Sequence, residues 1–310
     1  MTTATLRTLA LLLVALLLPP VLTAAGAEFY IGFATRVLIF ALAASSLNFV
    51  VGYGGMVAFG HAAFFGLGAY AVAALAQAGV VSAWITWPLA VMVAATAALL
   101  VGAISLRTRG VYFIMITLAF AQMLYYLVIA VDTWGSDDGL PLTARSRLAP
   151  FDLGSDTGLY YVALAALAAA LHALGRIAAS RYGGALAGLR QNETRMEALG
   201  YPVLVLKLAC FVLGGAAAGL AGALFVNLNG LATPGLLYWT QSGMLLVMAI
   251  LGGIGRRYGG LVGAAALLGL EEALGGFTDH PQLFVGLALI AVVLFAPHGL
   301  AGLMAGKRHD

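Results

Sequence analysis

Residues 84–106 read "WITWPLAVMVAATAALLVGAISL", twenty-three residues without a charged side chain, followed at once by Arg107 and Arg109. An apolar run of about twenty residues matches the hydrocarbon thickness of a bilayer when wound into a helix. It shows none of the strict alternation that a barrel strand requires, and a lipid-exposed backbone must satisfy its own hydrogen bonds. The stretch therefore predicts a transmembrane helix. The rest of the chain has the same composition: 310 residues, 63% hydrophobic and 9% charged, with a mean hydropathy of +1.02. Working outward, the apolar runs predict an all-α, polytopic transmembrane bundle of about ten spans. They lie near 8–26, 31–51, 58–79, 84–106, 111–131, 158–176, 204–229, 239–255, 259–275 and 282–303, in a single transmembrane domain covering 1–310.

Charge follows topology. With the N-terminus placed in the cytoplasm, Arg7, Arg107, Arg109, Arg176, Arg181, Arg190, Arg195, Lys207, Arg256, Arg257, Lys307 and Arg308 fall at or near the inner face. The outer side keeps Arg145 and Arg147, with Arg36 just inside a span, and most of the acids: Glu28, Asp132, Asp137, Asp138, Asp152, Asp156 and Asp279. That asymmetry satisfies the positive-inside rule and puts both termini inside. It also accounts for a net charge of only +3 without invoking nucleic acid. The first span resembles a secretory signal as well, with Arg7, a short apolar core and Ala25-Gly26-Ala27; its removal would change the span count and leave the remaining topology intact.

The chain has one cysteine, Cys210, and five scattered histidines, so its sequence carries no disulfide pair and no metal-ligand spacing. No cofactor is expected. A phosphate-cradling G-x-x-x-x-G-K-[ST] loop is absent from the sequence, so uphill transport would draw its energy from another subunit. An ion-driven carrier would place ionisable groups near the bilayer midplane, where this chain has almost none. An intramembrane enzyme would need a nucleophile with its base, or a metal cluster, on facing spans, and no such set is evident.

Two polar segments interrupt the spans. The outer loop 132–157, rich in Gly, Pro and Asp, predicts turns and one or two short surface helices. On the inner side "SRYGGALAGLRQNETRMEALGYPV" (180–203) predicts a short helix over 185–199, ended by Gly200 and Pro202. On a helical wheel Leu186, Leu189, Met196 and Leu199 share one side and Arg190, Glu193 and Glu197 another, with Arg190 and Glu193 spaced to pair. Mixed charge suits a protein groove better than an anionic headgroup surface, which would repel Glu193 and Glu197.

Glycine is the third signal. "GYGGMVAFGHAAFFGLGAY" (52–70) and "GGIGRRYGG" (252–260) each carry closely spaced glycines at an expected inner-face boundary. Pairs such as Ala62 with Gly66, Gly215 with Gly219 and Gly259 with Gly263 allow close helix approach. The runs Gly52 to Gly55 and Gly252 to Gly255 also read as helix breaks, tolerable only against a cavity or a protein surface. Candidate pathway residues are Asn48, Gly52, Tyr53, Gly55, His61, Phe64, Phe65, Gly252, Gly253 and Gly255; for each, ordinary helix packing or hydrogen bonding is the competing explanation. Glu271 and Glu272 lie toward an outer helix end, where exposure explains them.

Five stretches, in order, carry a resemblance. "SLNFVVGYGGMVAFGHAAFFGLGAYAVAAL" (46–75), "RTRGVYFIMITLAFAQML" (107–124), "ALAGLRQNETRMEALGYPVLVLKLACFVLGGAAAGLAGALF" (185–225), "LVMAILGGIGRRYGGLVGAAALLGLEEAL" (246–274) and "LFAPHGLAGL" (294–303) resemble the permeases of branched-chain amino acid ABC transporters. The "RTRGVYF" stretch is similar to the LivM-type member, with departures at Ala119 and Gln122. The resemblance implies import of leucine, isoleucine and valine by ATP-driven alternating access, with urea or short-amide import as the related alternative. It implies a sister LivH-type permease, two cytoplasmic ATP-binding subunits and a periplasmic solute-binding protein as partners, alongside membrane lipid. The 180–203 segment would then be the coupling segment, with Arg190, Glu193, Arg195, Glu197 and Gly200 as its ATPase-coupling residues. Its Glu197-Ala198-Leu199-Gly200 run is similar in place to the "EAA...G" loop of importers, with the glycine arriving sooner.

Overall fold

The computed structural model describes residues 3–149, 153–275, 281–295 and 299–304. Its helices are α1 (Thr3–Ala24), α2 (Phe29–Gly52), α3 (His61–Gln77), α4 (Ala83–Ser105), α5 (Val111–Ala130), α6 (Asp156–Ala178), α7 (Arg181–Gln191), α8 (Glu193–Ala198), α9 (Val203–Asn229), α10 (Trp239–Gly252), α11 (Gly259–Gly275), α12 (Pro281–Phe295) and α13 (Leu300–Met304). Five of them, α2, α4, α5, α6 and α9, are long and apolar enough to cross a membrane. The count of ten spans is not established by length. At about 1.5 Å per residue the fourteen residues of α10 reach only about 21 Å, short of the roughly 30 Å hydrocarbon layer. Glycine-rich irregular backbone lies directly before α3 and after α10.

The bundle is centred on α2 and α9. The apolar window of α2 is 83% buried, against 22% for α5, so α5 is a peripheral helix that shows Met115, Met123 and Tyr126 outward while α2 is surrounded by protein. Helix α9 packs on α2, α3 and α4. The close approach expected at Gly215 and Gly219 is present: a Cβ at either position would overlap Ala98 or Ala94 of α4. Dispersion across so short a separation offsets the helix-propensity cost of glycine, about 1 kcal/mol per residue. Gly66, by contrast, makes room for Leu237 in the 3-10 turn Pro234–Leu237 rather than for a second helix.

Where α3 begins inside the bundle, its amide groups are satisfied from other helices. Ala62 N–H donates to Ser242 Oγ of α10 at 2.9 Å, and Phe59 N–H donates to Thr117 Oγ1 of α5 at 3.3 Å. Helix α1 solves the same problem at consecutive prolines. Pro19 and Pro20 cannot donate to the carbonyls of Ala15 and Leu16. Tyr160 and Tyr161 of α6 donate to those two carbonyls at 2.7 and 3.2 Å, so two adjacent hydroxyls replace two adjacent lost hydrogen bonds and fix α1 against α6.

The loop expected to form short surface helices instead makes one 3-10 turn, Asp132–Trp134, and a two-residue strand β1 (Leu140–Pro141). β1 pairs antiparallel with β2 (Leu231–Ala232), with Leu140 opposite Ala232. Ser146 N–H donates to Asn227 Oδ1 at 2.7 Å, and Thr143 Oγ1 to the carbonyl of Ala76 at 3.1 Å. These side chain and backbone partners satisfy the polar groups of a loop folded down on the bundle, which leaves no need for helical hydrogen bonding there.

Candidate functional site

At the basic end of the bundle the C-termini of α2 and α10 meet. A Cβ at Gly52 would lie about 2.4 Å from the backbone of Gly255, closer than any real side chain tolerates, so the contact exists only between glycines. Gly253 and Gly255 hold φ of 114° and 76°, which end α10 and turn the chain toward α11. Asn48, 3% exposed, closes the junction. Its Oδ1 accepts from Gly255 N–H at 2.8 Å, and its Nδ2 donates to the carbonyl of Arg256 at 2.8 Å. One side-chain amide thus supplies the acceptor for Gly255 N–H and a second donor to the Arg256 carbonyl, which also accepts from Gly259 N–H at 3.0 Å. The two glycine runs read from the sequence as separate helix breaks form a single joint.

The polar segment reaches that joint. Nη1 of Arg190, on α7, donates to the carbonyl of Gly52 and lies against Gly255. A guanidinium is well placed there, because the last carbonyls of a helix carry its negative dipole end. Gly55, at φ 67°, passes alongside the stem of the same arginine.

The segment itself differs from the single helix expected over 185–199. Helix α7 ends at Gln191, and Asn192 at φ −158° and ψ 104° starts α8, its Oδ1 accepting from Arg195 N–H at 2.9 Å. An asparagine cap competes for the backbone and breaks the helical run. The break removes the expected Arg190–Glu193 pair. Glu193 turns to Lys207 of α9 at 2.6 Å and to Arg109 at 3.4 Å, and Glu197 pairs with Arg109 at 2.9 Å. Leu186, Leu189 and Met196 are buried as expected, but Leu199 is 66% exposed, on the outer tip beside Arg195 and Tyr201. Tyr182 donates to the carbonyl of Leu206 at 2.8 Å; burial first, then the neighbouring Cys210, raises its phenol above the ordinary range, so it remains a donor. Gly200, at φ 82°, ends α8 as a left-handed glycine cap.

The other sequence candidates lie deeper. His61 is fully buried, with Nε2 2.8 Å from Ser46 Oγ of α2 and its Nδ1 without a hydrogen-bond partner among the described residues. Phe64 and Phe65 are buried against Phe211 and Phe225 of α9, at ring separations of 5.4 Å in both cases, and so tie α3 to α9. Tyr53 stacks near Phe49 at 5.6 Å at the edge of the joint. Gly252 faces the backbone of Gly259, where α11 starts against α10. Among the described residues no cluster of His, Cys, Asp and Glu is suited to a metal. Sequence reasoning missed Arg109 and Lys207 as partners of the segment, and Leu199 and Tyr201 as its exposed tip; large apolar residues flanking a helix-stopping Gly200 were the available signal for the tip.

The described residues form a helical membrane bundle whose mixed-charge segment is fastened to a glycine joint, and the family match makes its class a transport permease. The chain belongs to the branched-chain amino acid transport system permease component family, whose profile matches residues 29–296. It is 27% identical over 291 residues to the high-affinity branched-chain amino acid transport system permease protein LivM of Salmonella typhimurium, and 28% identical over 291 residues to LivM of Escherichia coli; each match covers 86% of this chain and 68% of the relative. No solved structure matches it. This chain is accordingly a LivM-type permease component of an ABC importer.

Proposed function

We propose that this subunit carries leucine, isoleucine and valine across the inner membrane, alternating access as ATP is hydrolysed elsewhere in the assembly. The names of its relatives support the substrate class, and the Arg190 to Gly52 contact supports the coupling. The basic end faces the cytoplasm in this account, as the positive-inside rule favours, and both termini are inside. Partners are a LivH-type sister permease, two cytoplasmic ATP-binding subunits and a periplasmic binding protein. The ATP-binding subunit meets the exposed tip at Arg195, Leu199 and Tyr201, while Arg190, Glu193 and Glu197 face the permease itself. When the tip is displaced, Arg190 transmits the movement to the carbonyl of Gly52. The joint of Gly52, Gly253 and Gly255 bends because left-handed and side-chain-free backbone has low barriers to rotation. Asn48 and Gly55 define its resting geometry, and His61, Phe64 and Phe65 carry the motion into α3.

The test is uptake by the complete reconstituted assembly. Labelled leucine is expected to accumulate only with ATP, to persist when the proton gradient is collapsed, and to be displaced by isoleucine and valine but not by urea. Accumulation that follows the proton gradient, or displacement by urea and short amides alone, would contradict the proposal.

A further inference from the structure

A second feature lies on the flank of the bundle and stands independently of the transport substrate. Helices α1, α2, α6 and α11 enclose a crevice of about 190 Å³, walled by Leu38, Leu164 and Leu171 and ending at His172, Arg257 and Tyr258. Its wall from Leu164 to His172 follows α6 for about 12 Å at 1.5 Å per residue, the length of several methylene groups. The walls are too apolar to hold ordered water, which needs two or more polar partners.

The charge of the crevice is gathered at one end. Arg257 is exposed at the basic end, its guanidinium 5.7 Å from the ring centre of Tyr258 and its Nε against Gly175 of α6. Among the described residues it forms no ion pair, and the carboxylates of the polar segment, Glu193 and Glu197, are engaged by Lys207 and Arg109. His172 and Arg176 stand one turn apart on α6, both exposed. An uncompensated guanidinium at the mouth of an apolar slot between membrane helices complements an acyl chain attached to an anionic headgroup. A neighbouring protein helix would fill the slot but leave Arg257 without its counter-charge.

We propose that this crevice is a binding site for one anionic phospholipid, its phosphate on Arg257 and one acyl chain along Leu38, Leu164 and Leu171. Arg256, next in the chain, gives its carbonyl to Asn48, so the bound phosphate sits beside the glycine joint and holds its flank in place.

Native mass spectrometry of the assembled transporter, titrated with phosphatidylglycerol and with phosphatidylcholine, tests the site. One phosphatidylglycerol is expected to bind at least about tenfold more tightly than phosphatidylcholine, the effect of roughly one charge-assisted contact. Arg257→Gln should bring the two lipids to parity, Arg257→Lys should keep a preference, and Ala168→Trp, which fills the slot, should remove both lipids. A photo-crosslinker at Ala168 in native membranes should capture lipid. Equal binding of the two lipids by the unmodified protein, an undiminished preference in Arg257→Gln, or capture of the sister permease in place of lipid would overturn the proposal.

Discussion

Two clasps hold the α7–α8 segment to the bundle, and water reaches them unequally. At the first, Arg190, itself exposed, donates to the carbonyl of Gly52, which lies buried in a joint closed by Asn48, 3% exposed. At the second, Arg109 grips Glu197 with side chains 60% and 46% exposed, and only Lys207 with Glu193 is largely shielded, at 15% and 23%. Both look like ionic or polar fastenings in a list of distances. Their energetics differ because an exposed pair exchanges one set of water contacts for another, whereas a group of the joint buried with Gly52 and Asn48 that loses its partner loses its full desolvation energy. In the proposed coupling, the joint bears the force and the surface pairs steer the segment.

The contrast can be broken most severely at Gly52. Gly52→Leu places a side chain where Gly255 backbone lies, and a cost of about 3 kcal/mol or more is expected from forced separation of α2 and α10. Thermal melting of the purified assembly should fall sharply; an unchanged melting temperature would mean that the two helix ends do not meet. Asn48→Ala removes both of its hydrogen bonds at the joint and leaves Gly255 N–H unsatisfied, at about 1–3 kcal/mol, while the Arg256 carbonyl keeps the Gly259 N–H. Stability should drop in that variant without dependence on salt. Arg109→Ala is the small-effect limb. Discounted for exposure, its loss is about 0.5 kcal/mol or less, and the difference from the unmodified protein should shrink as ionic strength rises from 10 to several hundred millimolar, when the screening length falls below about 10 Å. A large, salt-independent loss there would reverse the assignment.

Much of the fold is legible in the sequence because lipid imposes a one-dimensional signal. Runs such as 84–106 and 204–229 become α4 and α9 nearly as bounded, and the arginine distribution gathers Arg109, Lys207 and Arg190 at one end, where they meet the same segment. Glycine breaks at 52–55 and 252–255 are readable as breaks, but the Asn48–Gly255 hydrogen bond that closes their contact joins residues 207 positions apart and has no local signature. The division of the polar segment is different: Asn192 before Glu193 is a capping signal in plain sight, outweighed by a helical wheel that runs straight through it. The wheel also puts Leu199 with the buried leucines, whereas the break rotates it outward. The pairing of Tyr160 and Tyr161 with the carbonyls freed by Pro19 and Pro20 depends on how α1 docks, and no periodicity within either helix reveals it.

The coupling account stands or falls on Arg190. In the reconstituted assembly with its binding protein, the ratio of leucine imported to ATP hydrolysed should fall by about tenfold or more in Arg190→Gln, the loss of one charged hydrogen bond of roughly 1.5–3 kcal/mol, while hydrolysis itself continues. Arg190→Gln transport with an unaltered ratio would show that force reaches the glycine joint by another route.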